Sequence, residues 1–335
     1  MVTARADWLA TTREEAVEPD LPIIDPHHHL WDFPRSRYFL DELLEDTADL
    51  NLRQTVFIEC SAMYRGDGPD ALRPVGETEF VAGVAAQSAS GIYGDMRACT
   101  GIVGHANLTL GAAVGDVLDA HLAISSRFRG IRHHGSWDES PDVPNSRIEP
   151  GPQLFLDATF REGFAELGKR GLSFEGWLYH PQIPELTDLA RAFPDTTIIL
   201  NHLGGPLGVG PYAGHQDEVF ETWRDSIAEL ATCENVVAKV GGIQMTINGF
   251  GWHERDTAPS SDDLLEANRR WYEHTIEQFG PERCMFESNF PVDKLSCGYT
   301  VLWNQFMKLT AGFPEDERAA MFHDTALRVY RLEPH

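Results

Sequence analysis

Nowhere in the 335 residues do about 18 apolar residues follow one another, the length a membrane-spanning helix requires. Cysteine is scarce: Cys60, Cys99, Cys233, Cys284 and Cys297 lie far apart, their number is odd, and no CxxC occurs. That excludes a disulfide framework or zinc-ribbon spacing and predicts reduced, mostly buried thiols. Basic residues are few, 27 against 52 acidic, for a net charge of −25. A nucleic-acid or anionic-membrane partner is therefore not expected. No apolar stretch interrupts the charges of Met1–Asp20, so no secretory signal is expected there and a cytoplasmic protein is. The glycine-rich segment Leu203–Gln216 lacks GK[ST], and no GxGxxG follows the first strand run, so neither a P-loop nor a dinucleotide fingerprint is present.

What the chain does have is a repeated alternation. Eight short apolar runs, rich in β-branched and aromatic residues, read as buried strands: Pro22–Leu30, Gln54–Cys60, Ala98–Leu108, Phe128–His134, Leu172–Tyr179, Thr196–His202, Asn235–Gly241 and Arg283–Phe290. Helical patterns lie between them at Glu79–Ser90, Ala113–Ser125, Leu154–Arg170, Ile183–Phe193, Glu218–Thr232 and Leu264–Phe279, and Pro314–Tyr330 reads as a closing helix. Eight β/α units predict an α/β fold, a (β/α)8 TIM barrel of residues 21–335 preceded by an acidic arm, residues 1–20. An open doubly wound sheet is the competing architecture. The arm could anchor through Trp8 and Leu9 on the body or on a second subunit, compatible with a homodimer.

The longest irregular stretches, Ser136–Gln153, Leu203–Gln216 and Gly242–Asp263, follow strands. In a barrel such loops build the active site at the C-terminal face. Polar residues gather at the same strand ends: His27 and His29, Glu59, Arg132 with His133 and His134, His180, His202, and Glu287 with Asn289. Strand alternation places Asp25, His27 and His29 on one face and His28 on the other. Two imidazoles side by side suit a single metal ion, although three consecutive histidines could also form a polar strand end with no ligand. Glu59, if it faces the barrel, needs a partner, and Arg132 is available. Of His133 and His134, one is expected to face the site. Lys239, inside an apolar strand, points either into the site or to a helix interface. Trp177, Tyr179, Phe290 and Trp252 could line a pocket, though such aromatics usually belong to the core. His105, His121, His215, His253, His274 and His323 carry no expected chemistry, apart from a chance of His253 touching substrate.

Taken in order, Asp25-Pro26-His27-His28-His29, Phe128-Arg129-Gly130-Ile131-Arg132-His133, Trp177-Leu178-Tyr179-His180-Pro181-Gln182, Asn201-His202-Leu203-Gly204-Gly205-Pro206 and Arg283-Cys284-Met285-Phe286-Glu287-Ser288-Asn289-Phe290-Pro291 resemble the amidohydrolase-related family of metal-dependent hydrolases. The likeness spans about residues 23–332 and is nearest the branch that contains lactonases. It implies one divalent metal ion, zinc by preference, held by His27, His29 and His180, with His202 a further ligand or the group that polarises the substrate carbonyl. It implies a hydrolase that opens a lactone or similar cyclic ester of a small organic acid, with Arg132 holding an anionic or carbonyl-bearing substrate. A nonoxidative decarboxylase of an aromatic or unsaturated acid, a metal-free relative and a non-catalytic binding barrel are the alternatives. The chain departs from the family at the eighth strand, where Asn289 stands in place of the Asp that commonly serves as general base. Asn cannot take a proton at neutral pH, so Glu287 on the same face is expected to replace it, with Asp293 the weaker candidate.

Overall fold

The computed structural model describes residues 4–34, 36–144 and 150–335. Part of the expected arm (residues 1–3) and of the loop after the fourth run (145–149) lies outside the described residues. The strands in chain order are β1 (Ile23–His28), β2 (Trp31–Phe33), β3 (Ser36–Tyr38), β4 (Leu52–Ile58), β5 (Arg97–Gly104), β6 (Phe128–His134), β7 (Ser173–Trp177), β8 (Ile198–Leu200), β9 (Val236–Gly241) and β10 (Cys284–Glu287). The helices are α1 (Ala6–Leu9), α2 (Leu40–Thr47), α3 (Val75–Ala89), α4 (Gly115–Ile124), α5 (Ala158–Lys169), α6 (Ile183–Ala192), α7 (Gln216–Ala231), α8 (Ser261–Phe279), α9 (Tyr299–Leu309), α10 (Glu315–Ala319) and α11 (Thr325–Val329).

Eight strands form one parallel sheet in the order β1-β4-β5-β6-β7-β8-β9-β10. Just beyond β10 the sheet meets β1 again: Asn289 N donates to His27 O at 2.9 Å and His29 N to Phe290 O at 2.8 Å. The result is a nearly closed (β/α)8 barrel. Every expected apolar run became a barrel strand, mostly shorter than the run. Ile24, Val56, Ile58, Val103, Ile199, Val237 and Met285 fill its interior, and Tyr330 and Leu332 close one end. The opposite faces of the strands pack on the helices.

Three local features depart from expectation. The antiparallel pair β2–β3 and helices α2 and α9 were not anticipated. The closing helix is split, with a π-helical turn Ala320–Asp324 between α10 and α11. Residues 154–170 start as a 3-10 turn, and Asp157 then caps α5 by accepting from Phe160 N at 2.8 Å. No helix among the described residues is long and apolar enough to cross a membrane. All five cysteines are buried and unbridged.

Candidate active site

A β-bulge sets the geometry of β1. The pairing register with β4 shifts between Asp25 and His28, and the extra residue changes which side chains point inward. His27 and His29 turn into the barrel mouth as expected, but Asp25 does not share their face. It turns to the helix layer, where Ser288 Oγ donates to it at 2.5 Å and Tyr299 OH at 3.0 Å. His28 also points away, with Nε2 2.8 Å from Thr55 Oγ1.

Glu287, at the end of β10, lies between two imidazoles. Its Oε1 is 2.6 Å from His202 Nδ1 and its Oε2 is 2.7 Å from His27 Nδ1. All three residues are buried, and one potential ligand atom from each lies within 4.8 Å of the others. Gly242, with φ +65°, makes room for this arrangement, since a Cβ there would sit 1.9 Å from His202 Nδ1. Burial pushes the Glu287 carboxyl up to about 8, against a smaller opposing effect of Lys239. Burial holds His27 and His202 well below the usual imidazole value, and cationic neighbours push the same way. Glu287 Oε2 makes no hydrogen bond. A carboxylate and two neutral imidazoles, desolvated and converging, with one carboxylate oxygen unsatisfied, fit a divalent cation.

Beneath this cluster is a layer that sequence reasoning half found. Lys239 points into the barrel, its Nζ 2.6 Å from Glu175 Oε2 and 3.1 Å from His27 Nδ1. Glu175 also accepts from Asn201 Nδ2 at 2.8 Å and from Tyr330 OH at 2.5 Å. Glu175, in the fifth run, is not among the expected site residues. Its signal was the same as that of Lys239, a charge in the middle of an apolar strand, and opposite charges so placed must find each other.

Above the cluster, Arg132 is fixed by Glu59. Arg132 Nε donates to Glu59 Oε1 at 2.8 Å and Nη2 to the Glu59 carbonyl, while Nη1 lies 3.3 Å from His27 Nε2. The expected Glu59–Arg132 partnership is thus present. Burial alone would raise the Glu59 carboxyl, but Arg132 and His134 outweigh it and hold it well below the usual range. His134 is the member of its pair that faces the site, with Nε2 2.9 Å from Glu59 Oε1. His133 packs outward on Phe160 and His105.

His29 donates from Nδ1 to the Ile58 carbonyl, 2.8 Å away, and its Nε2 lies 3.3 Å from Asn289 Oδ1. The Ile58 carbonyl only accepts, so Nδ1 carries the proton and the neutral ring has its lone pair on Nε2; the Asn289 amide meets that lone pair with its NH2 when turned over, its oxygen then accepting from the protonated Asp293 carboxyl. The Asn289 amide spans from His29 to Asp293, 2.9 Å away, so both eighth-strand candidates sit at the site edge. Asp293 is buried, and burial raises its carboxyl well above the usual range.

His180 is not brought into this cluster. It follows β7 by three residues, in a 3-10 turn (His180–Gln182) that aims its ring at Tyr212, and Leu207 N donates to its Nδ1 at 3.3 Å. Tyr179 bonds the Pro144 carbonyl, and Phe290 packs on Tyr299. Trp252 is buried and donates to Gln244 Oε1 at 2.8 Å. His253 offers its backbone carbonyl to Arg5.

A cavity of about 460 Å³ opens over the cluster. Its floor includes His29, Arg132, His202 and Asn289, and Trp31, Tyr38 and Trp177 stand in its wall. Among the described residues, each cation of the lining is paired with a carboxylate: Arg132 with Glu59 at 2.8 Å, Arg37 with Glu42 at 2.6 Å, and Lys294 with Asp46 at 2.7 Å.

Comparison with known proteins finds relatives in sequence and in fold. The family model described as Amidohydrolase matches residues 24–332. The uncharacterized protein y4mH of Sinorhizobium fredii is 36% identical over 93% of this chain and 99% of its own length. An L-fucono-1,5-lactonase of Burkholderia multivorans is 23% identical, covering 92% of this chain and 96% of its own. Among solved structures, a zinc-bound amidohydrolase from Burkholderia multivorans has a TM-score of 0.71 at 22% identity, over 93% of this chain and all of that one.

Proposed function

The chain belongs to the amidohydrolase family, and from that premise we propose that it hydrolyses a neutral lactone, using a zinc ion held by His27, His202 and Glu287. The observation that carries the substrate reading is the pairing of every lining cation among the described residues with a carboxylate. A substrate carboxylate entering this cavity would find no unpaired cation among the described residues of its wall and would meet the lining acids. A neutral cyclic ester meets no such penalty, and Trp31, Tyr38 and Trp177 offer it flat apolar surface. The same pairing speaks against a decarboxylase, which must hold a substrate carboxylate. Lactonase-named relatives support the ester.

When bound, a divalent ion would supply a fixed positive charge that polarises the ester carbonyl and acidifies water. Glu287 and His27 lie beneath the lining, so Glu287 acts here by holding the donor set and does not reach water as a base. His202 lines the cavity with Nδ1 committed to the Glu287 side. Its Nε2–H, with the Arg132 guanidinium, donates to the carbonyl oxygen as negative charge develops there. His29 keeps its lone pair on Nε2 because Ile58 holds Nδ1–H. It takes a proton from the attacking water and returns one to the ring oxygen as the C–O bond breaks, leaving a hydroxy acid. Asn289 keeps the His29 ring in place, and His180 has no part in these steps.

The test is proton release, followed with a pH indicator, across neutral and carboxylate-bearing lactones. Neutral lactones should be opened, with activity lost to a chelator and restored by zinc. Silence toward all lactones, or faster turnover of the carboxylated ones, would refute the reading.

A further inference from the structure

The amino-terminal arm reaches the site. Residues 4–18 run as a strap whose first described residues, Ala4 and Ala6, line the mouth of the cavity. The one helical turn of the strap, α1, has four residues and cannot hold its own shape, so its position comes from its anchors. Trp8 is buried and donates from Nε1 to the Arg255 carbonyl at 2.9 Å. The Arg5 guanidinium stacks on the Trp8 ring, 4.8 Å from its centroid, and donates to the His253 carbonyl at 2.7 Å. Further along, Thr12 Oγ1 donates to the Ala258 carbonyl at 2.6 Å, and Glu14 accepts from Ser261 N at 2.8 Å and Ser261 Oγ at 2.6 Å.

These partners share a location. They belong to the segment between β9 and the start of α8, the same segment that sends Met245 into the cavity wall. The strap therefore clamps a loop of the site and adds its own small side chains to the rim. On that rim it shares the cavity lining with the β2–β3 pair, which supplies Trp31, Arg37 and Tyr38. Ala6 is exposed at the mouth, so a larger side chain fits there without disturbing the core. Such a side chain would occupy the space through which the outer part of a substrate must extend.

We propose that the strap is the outer wall of the substrate cavity, and that Ala6, with Trp8 as its anchor, sets the size of substrate the enzyme accepts. The size argument rests on the lactone-hydrolase reading, but the wall itself can be measured without any substrate. Met245 stands half-buried in the cavity wall, and all five native cysteines are buried, so the rate of alkylation of a thiol introduced by Met245→Cys reports how open the mouth is.

The experiment compares wild type with Ala6→Phe and Trp8→Ala, each checked for an unchanged melting curve in its barrel transition. Alkylation by a maleimide is read at position 245 by peptide mapping, with Met245→Cys carried in each protein and Cys233 as internal control. Trp8→Ala should speed labelling at position 245 about fivefold or more by releasing the strap, and Ala6→Phe should slow it. In turnover, Ala6→Phe should cut kcat/KM for lactones with long substituents about tenfold while changing that for the smallest lactones less than about twofold. Labelling at position 245 unchanged within about twofold by both substitutions would overturn the wall. An unchanged ratio between long and short lactones would overturn the size limit. Absence of any lactone turnover by wild type would instead refute the functional reading, and the labelling result would still decide the wall.

Discussion

Replacing Glu287 by Gln changes one atom of the side chain and tests the whole cluster. The carboxylate faces His202 Nδ1 at 2.6 Å and His27 Nδ1 at 2.7 Å, and it offsets Lys239 together with Glu175. Interactions of a charged group at such distances contribute about 1.5–3 kcal/mol each. Only the contact to His202 is a hydrogen bond, so the loss is about 1.5–3 kcal/mol, or a factor of about 10 to 10². Glu287→Gln should therefore weaken zinc affinity by about that factor, measured by isothermal titration, and lower kcat/KM at least as much. The fold should persist. In the metal-free protein the Glu287 carboxyl is raised to about 8, so its ionised form is disfavoured by folding. The sign follows: stability is fully present below the ordinary carboxylate value and is lost as pH rises toward 8. Metal-free wild type should thus lose stability between about pH 5 and 8, by an amount on the order of a few kcal/mol. Glu287→Gln should flatten part of that slope, and zinc should restore the loss in wild type alone. Urea melts with chelator at a series of pH values provide the check. Unchanged zinc affinity in the variant, or unchanged turnover, would sink the assignment of Glu287 to the donor set.

Three further perturbations have defined outcomes. Gly242→Ala places a Cβ 1.9 Å from His202 Nδ1 at φ +65°; activity should fall about 100-fold from displacement of the imidazole, and a crystal structure with His202 unmoved would contradict this. Lys239→Met leaves Glu175 buried without its cation; it should destabilise the protein by about 3–5 kcal/mol in urea unfolding, and a neutral result would show that Asn201 and Tyr330 suffice for that carboxylate. Glu77 is buried, its carboxyl raised to about 8 chiefly by burial and next by Glu59, while its Oε1 accepts from Cys60 N at 3.0 Å and Ala62 N at 2.8 Å. Glu77→Gln retains an acceptor for both and removes the ionisation, so the variant should match wild type at pH 5 and exceed it near pH 9; equal stability at both pH values would refute the account.

The eight barrel strands were legible because buried parallel strands are short, continuous apolar runs, as in Val236–Gly241 and Ile198–Leu200. The polar strand ends were legible for the same reason: Arg132 and His134 alternate inward on β6, and Glu59 follows β4 directly. Legibility failed where alternation breaks. The bulge in β1 sends Asp25 outward, and its one local signal is Pro26, a residue without a ladder N–H that strands accept at bulges. His180 lies beyond its strand in a turn, where no period fixes its direction. The strap is a loop-like arm of mixed charge, and only tertiary contacts place Ala4 and Ala6 at the cavity. Glu175 could have been found by asking which acid could partner Lys239.

The most direct test of the central claim is metal stoichiometry measured on purified protein, with His27→Ala and His202→Ala beside wild type and His180→Ala as the comparison. The account predicts about one zinc per wild-type chain, loss of zinc and of lactone hydrolysis together in the His27 and His202 variants, and retention of zinc in the His180 variant. Zinc retained without His27 and His202, or full lactone hydrolysis by metal-free wild type, would contradict it.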